Sequence, residues 1–142
     1  MIAPAPDRKE RLVGDQGGST GPEEEPLARL LCDVTALTEA PAPAGVLWKL
    51  SEPGRQLDAN VVHLPPGRRV DPHVEPDLDV LLLVVAGEGT VTGSGGDEDL
   101  TTGGLLWLPR GSRRALAAGE QGLSYVTVHR RRPGMTIRSR AT

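Results

Sequence analysis

A chain of 142 residues can bury one hydrophobic core and carry a tail, but not two full domains. Its net charge of −3 excludes the broad basic face of a general nucleic-acid binder. With 2% aromatic residues and no Phe, the core must rest on Leu, Val and Ala, and base-stacking platforms are scarce.

The single cysteine, Cys32, cannot close an intramolecular disulfide, and "LARLLCDVTAL" supplies no His to activate a thiol. It is expected to be a small buried hydrophobe. No window carries the ~18 apolar residues of a membrane span, and the N-terminus lacks an apolar signal core. A cytoplasmic protein with neither membrane nor nucleic-acid partners is expected.

In chain order, residues 1–26 come first, rich in Pro, Gly and charge ("APAPDRKERLVGDQGGSTGPEEEP"). They hold too few apolar groups to offset their ordering entropy, so a disordered tail is expected. "PLARLLCDVTALT", Pro26 to Thr38, is apolar enough to pack; its Leu spacing suits a short helix, and "CDVTAL" suits a strand equally. It opens a connecting segment, 27–44, that runs into the linker "EAPAPAG".

From Gly45 the pattern changes to short apolar runs separated by compact turns. Strands are predicted at Val46–Leu50, Asp58–Leu64, Leu78–Ala86 and Gly89–Gly93, then at Asp99–Thr102, Leu105–Pro109, Arg113–Ala118 and Leu123–Arg130. Short strands at regular spacing with Gly-rich turns indicate an antiparallel sandwich or barrel, here spanning 45–134 with 135–142 as a C-terminal tail. "RRALAA" would make only a marginal helix between two turns, so the domain is predicted to be all-β.

Two segments of this domain carry paired motifs. Gly67 is followed by "RRVDP", His73, Val74, Glu75, "PDLD", Val80, "LLLVVA" and Gly87. Gly103 is followed by "GLLWL", Pro109, Arg110, Gly111, "SR", Arg114 and, further on, Ala118. In order, spacing and turn chemistry they resemble the two motifs of the cupins, over residues 45–130. "HRRRPG" after the last strand also resembles small single-domain, cupin-2 type members from actinobacteria that have no assigned activity. The resemblance implies a cupin jelly-roll β-barrel, and its glycines are expected at strand ends that need a positive φ or a close approach. It also implies a homodimer, formed through edge strands or barrel faces.

Cupins that bind a divalent metal hold it with two His and a Glu from the first motif and a His from the second. Carried over residue by residue, only His73 is kept; the other places hold Glu75, Val80 and Arg114. One His and one Glu make a poor metal site, and a guanidinium donates only and repels cations. No cofactor is therefore favoured. A divalent metal, the alternative, would need His73 and Glu75 together with His63 or Asp79. Strand parity argues against Asp79, which points away if Val80 points inward.

With the motifs facing each other, Arg114 and Glu75 are expected to approach across the interior and neutralise one another. The ligand-binding set is then His73, Glu75, Arg114 and Trp107, with Arg114 forking onto a small polar or anionic molecule and His73 able to move a proton near neutral pH. The same residues could instead form a polar plug in the barrel mouth. His129 is expected at the rim, as is a cluster of arginines at 110, 113, 114 and 130–132. Ser112 has no elbow motif or neighbouring His that would make it a nucleophile.

The residues thus point to a binding module with a degenerate metal site. A divergent metal-dependent enzyme, of isomerase or dioxygenase type, is the alternative, and no catalytic residue is assigned.

Overall fold

The computed structural model describes residues 25–39 and 41–132. The expected tails, 1–26 and 135–142, lie almost wholly outside them. The chain divides into a unit ending at Leu31 and one running from Cys32. Of the first, residues 25–31 are described, an irregular and exposed stretch.

The second unit opens with a single helical turn, α1 (Val34–Leu37), which settles the open choice between helix and strand. Asp33 decides it locally: its carboxylate accepts hydrogen bonds from the amides of Thr35 (3.0 Å) and Ala36 (3.2 Å), an N-cap that satisfies otherwise orphaned donors. Cys32, just before it, is half-buried rather than buried, because it precedes the elements that build the core.

The alternating runs become β1 (Gly45–Lys49), β2 (Leu57–Leu64), β3 (Arg69–Val74), β4 (Val80–Gly93), β5 (Gly96–Thr101), β6 (Leu105–Leu108) and β7 (Arg113–Arg130). They form one antiparallel sheet of order β1-β2-β7-β4-β5, with β3 added to β7 and β6 to β4. This is the all-β jelly-roll barrel expected from the sequence. Two pairs of predicted strands are each one long strand, β4 and β7, which run alongside one another from Val80↔His129 to Gly93↔Arg114. Their register breaks between Val84 and Ala86 and between Gly87 and Gly89, where the ladder bends.

At that bend Gly87 has φ +80°, and a Cβ there would press on the carbonyl of Gly122, so backbone approaches backbone too closely for any side chain. Glu88 fills the corner, its carboxylate accepting from the amide of Gln121 (3.1 Å). The other motif glycines, Gly67, Gly103 and Gly111, also have positive φ, as the motif reading required.

β3 is absent from the strand prediction. Its "RVDPHV" is polar and contains Pro72, and among the described residues β7 is its only strand partner. Pro is tolerated on such an edge, and the register slips between Val70 and His73 around it.

Leu64 of β2, Leu82, Val84 and Val91 of β4, Leu100 of β5, Leu108 of β6 and Leu116, Ala118, Leu123 and Tyr125 of β7 form the core. Leu and Val carry it almost alone, as the lack of aromatics dictates.

Candidate functional site: a buried arginine above an open pocket

Strand alternation places Arg114. Along the first part of β7 the buried positions are Arg114, Leu116 and Ala118, so the guanidinium shares the inward phase of the core leucine. Arg114 is only 4% exposed. Its backbone pairs with His73 of β3 on one side and Gly93 of β4 on the other.

The local turn "PRGSR" gives this guanidinium one anchor. Nη1 donates to the Ser112 carbonyl (2.9 Å) and to Ser112 Oγ (3.3 Å). Nε and Nη2 have no hydrogen-bond partner among the described residues, and no carboxylate there lies within ion-pair distance. Burial pulls the Arg114 pKa down, and the more distant negative charge of Glu75 only partly opposes this. Arg remains charged all the same. Removing such a charge from water without a counter-charge costs on the order of several kcal/mol.

Glu75 is not the counter-ion expected for Arg114. It follows the end of β3, and its Oε1 accepts from Nη2 of Arg132 (2.9 Å) while Oε2 accepts from the Asp77 amide (2.8 Å). These bonds, that of Arg132 foremost, hold the Glu75 carboxyl below its ordinary pKa. The Glu75 carbonyl accepts from the Gly111 amide (2.8 Å), so the two motifs do meet there, through backbone.

Arg114 lines a pocket of about 610 Å³ between the β4–β5 hairpin and β6, within the size range of small-molecule sites. Val91, Leu106 and Leu108 make its apolar wall, and Trp107 and Ser112 also line it. The hairpin turn contributes Gly93, Gly95 and Gly96, whose lack of side chains leaves the mouth open. The sequence reading placed strands on either side of this turn, at Gly89–Gly93 and Asp99–Thr102, and β4 and β5 do pair there. Its "GSGG" was visible as a turn, but nothing local indicates which strand it leans over.

The remaining expected site residues are dispersed. His73 is exposed, its Nδ1 donating to the Asp71 carbonyl (3.0 Å). Trp107 is 56% exposed and lines both this pocket and a groove on the outer face. His63 shares a 2.7 Å hydrogen bond with the buried Ser124. Asp79 accepts from the Arg110 amide (2.9 Å) and pairs with its guanidinium (3.4 Å), capping the second-motif turn. His129 is half-buried near the end of β7, with Nδ1 donating to the Arg130 carbonyl (2.8 Å).

The alternative metal set of His73 and Glu75 with His63 or Asp79 is therefore not assembled. Among the described residues no three His, Cys, Asp or Glu side chains come together as a metal site. The place of the second-motif His is taken by a buried cation, so these residues do not fit the divalent metal of metal-binding cupins.

No protein-family model matches the sequence, and no curated protein matches it. Solved structures do. A Bacillus halodurans protein aligns with a TM-score of 0.61 at 18% identity, covering 78% of this chain and 88% of its own. A cupin protein from Bacteroides fragilis aligns with a TM-score of 0.56 at 19% identity, covering 69% and 88%. A sugar phosphate isomerase of the cupin superfamily from Silicibacter pomeroyi aligns with a TM-score of 0.50 at 19% identity. That alignment covers 56% of this chain and 53% of the isomerase. At these identities the likeness establishes the fold, which is the cupin jelly roll, and leaves the chemistry to the site itself.

Proposed function

With the cupin-fold barrel as premise, we propose that this protein is a binding module that holds a small anion in the pocket above Arg114. One observation carries the reading: a guanidinium 4% exposed, lining an open pocket, keeps two of its three nitrogens without a hydrogen-bond partner among the described residues. A buried cation left unpaired lowers stability, and an anionic ligand supplies the missing charge. Where metal-binding cupins present a cation on His and Glu ligands, this chain presents its own.

The test is urea unfolding of the native protein in sodium acetate against choline chloride at equal ionic strength, beside Arg114→Met. The unfolding midpoint is expected to rise in acetate for the wild type and not for the variant. Equal midpoints in both salts would overturn the reading. Near-stoichiometric divalent metal in protein purified without chelator or tag, lost in His73→Ala, would favour a metal-dependent enzyme instead.

The outer face of the sheet supports a homodimer. Register places Leu81 beside Trp107 and Leu83 beside Leu105, and all of these side chains are substantially exposed. Val126 and Val128 of β7 extend the row on the other side of β4. A contiguous apolar sheet face of this kind is the surface a second copy would cover.

A further inference from the structure

Resting on the anion-pocket reading, we propose that the ligand is a monocarboxylate with an apolar body, held side-on by Nε and Nη2 of Arg114. The guanidinium is planar, and Ser112 occupies Nη1 through its carbonyl and its hydroxyl. The edge left over is Nε–H with Nη2–H, two parallel donors whose spacing matches the two oxygens of a carboxylate. A single free edge takes one such group.

Charge at the mouth limits the ligand to one negative unit. Asp97 and Glu98 line the same pocket as Arg113 and Arg114, so its wall carries acids as well as arginines. Asp97 is fixed in place, its Oδ1 accepting from Thr92 Oγ1 (2.7 Å). A second carboxylate or a doubly charged phosphate would have to sit against these acids. The rest of the pocket selects an apolar body: Val91, Leu106 and Leu108 offer no donor or acceptor from their side chains. Gly95 lines the pocket, and a Cβ there would meet nothing within 4 Å, so a larger side chain can be placed at its mouth without a clash.

The experiment titrates the full-length, 15N-labelled protein with 4-methylpentanoate, its neutral amide, succinate and inorganic phosphate, following the Arg114 Nε–H resonance and the Gly93–Gly96 amides. 4-Methylpentanoate is expected to move both sets and to bind at least about tenfold more tightly than the amide, because only the anion forms charge-assisted bonds. Arg114→Met should abolish the difference between acid and amide. Gly95→Leu, which keeps the charge but fills the mouth, should weaken 4-methylpentanoate while Nε–H stays at its ligand-free position. Tighter binding of succinate or phosphate would overturn the monocarboxylate assignment and leave the anion pocket standing. If no anion moves the Arg114 resonance, the anion pocket itself falls.

Discussion

Glu75 gives its carboxylate to Arg132, 2.9 Å away, and not to Arg114. The end of β7 makes this possible. The Arg131 amide donates to the Gln56 carbonyl (2.8 Å) and the Arg132 amide to Asp58 Oδ2 (3.2 Å), which carries the Arg132 side chain to the end of β3. The pair leaves Arg114 a buried charge with no carboxylate in ion-pair distance among the described residues. Because the Glu75 pKa is depressed in the folded state, its contribution is present above the unfolded value near 4.5 and is lost as pH falls through the folded value. Arg132 is 53% exposed, so Glu75→Gln should cost no more than about 1 kcal/mol at neutral pH. That loss should shrink on acidification; urea unfolding of both proteins across the acid limb checks it, and a pH-independent gap would contradict the assignment.

Arg114→Met should stabilise the ligand-free protein by about 1–3 kcal/mol, since it exchanges an unpaired buried cation for an apolar side chain of similar length. Equilibrium denaturation in an anion-poor buffer measures this. A clear loss of stability would mean that the hydrogen bonds to Ser112 hold the second-motif turn, and that Arg114 belongs to the fold rather than to a ligand.

Tyr125 is the only tyrosine, so tyrosinate absorbance reports on it alone. It is 6% exposed, and burial pushes its pKa up from 10.0 to about 12. The unfolded chain ionises first, so the stability held by the neutral phenol is complete below 10.0 and drains away as pH rises toward about 12. An alkaline titration of the folded protein should show a midpoint near the upper value. A midpoint near 10 would place Tyr125 in contact with water.

Leu105 is 67% exposed beside Leu83 on the outer face. If a second copy covers that face, Leu105→Glu buries a charge in the interface and should shift sedimentation from dimer to monomer, with little effect on the unfolding of the monomer. A wild-type protein that sediments as a monomer at every concentration would remove the homodimer.

Within its own stretch of chain, every strand but β3 could be read from short apolar runs between turns, because that signal is local. The same locality exposed the motif glycines, whose φ depends on the turns they occupy. The absence of a His at that position was likewise plain in the sequence. Partnership was not. Glu75 and Arg114 were matched by family geometry, yet Glu75 bonds a residue 57 positions away because β2, β3 and the end of β7 converge there. β3 escaped notice because an edge strand may be polar and hold a proline, so pairing with β7 defines it rather than its composition. The open hairpin above Arg114 and the apolar row on the outer face arise in the same way. Alternation assigns a side chain to a face, but only the register between distant strands decides what it meets there.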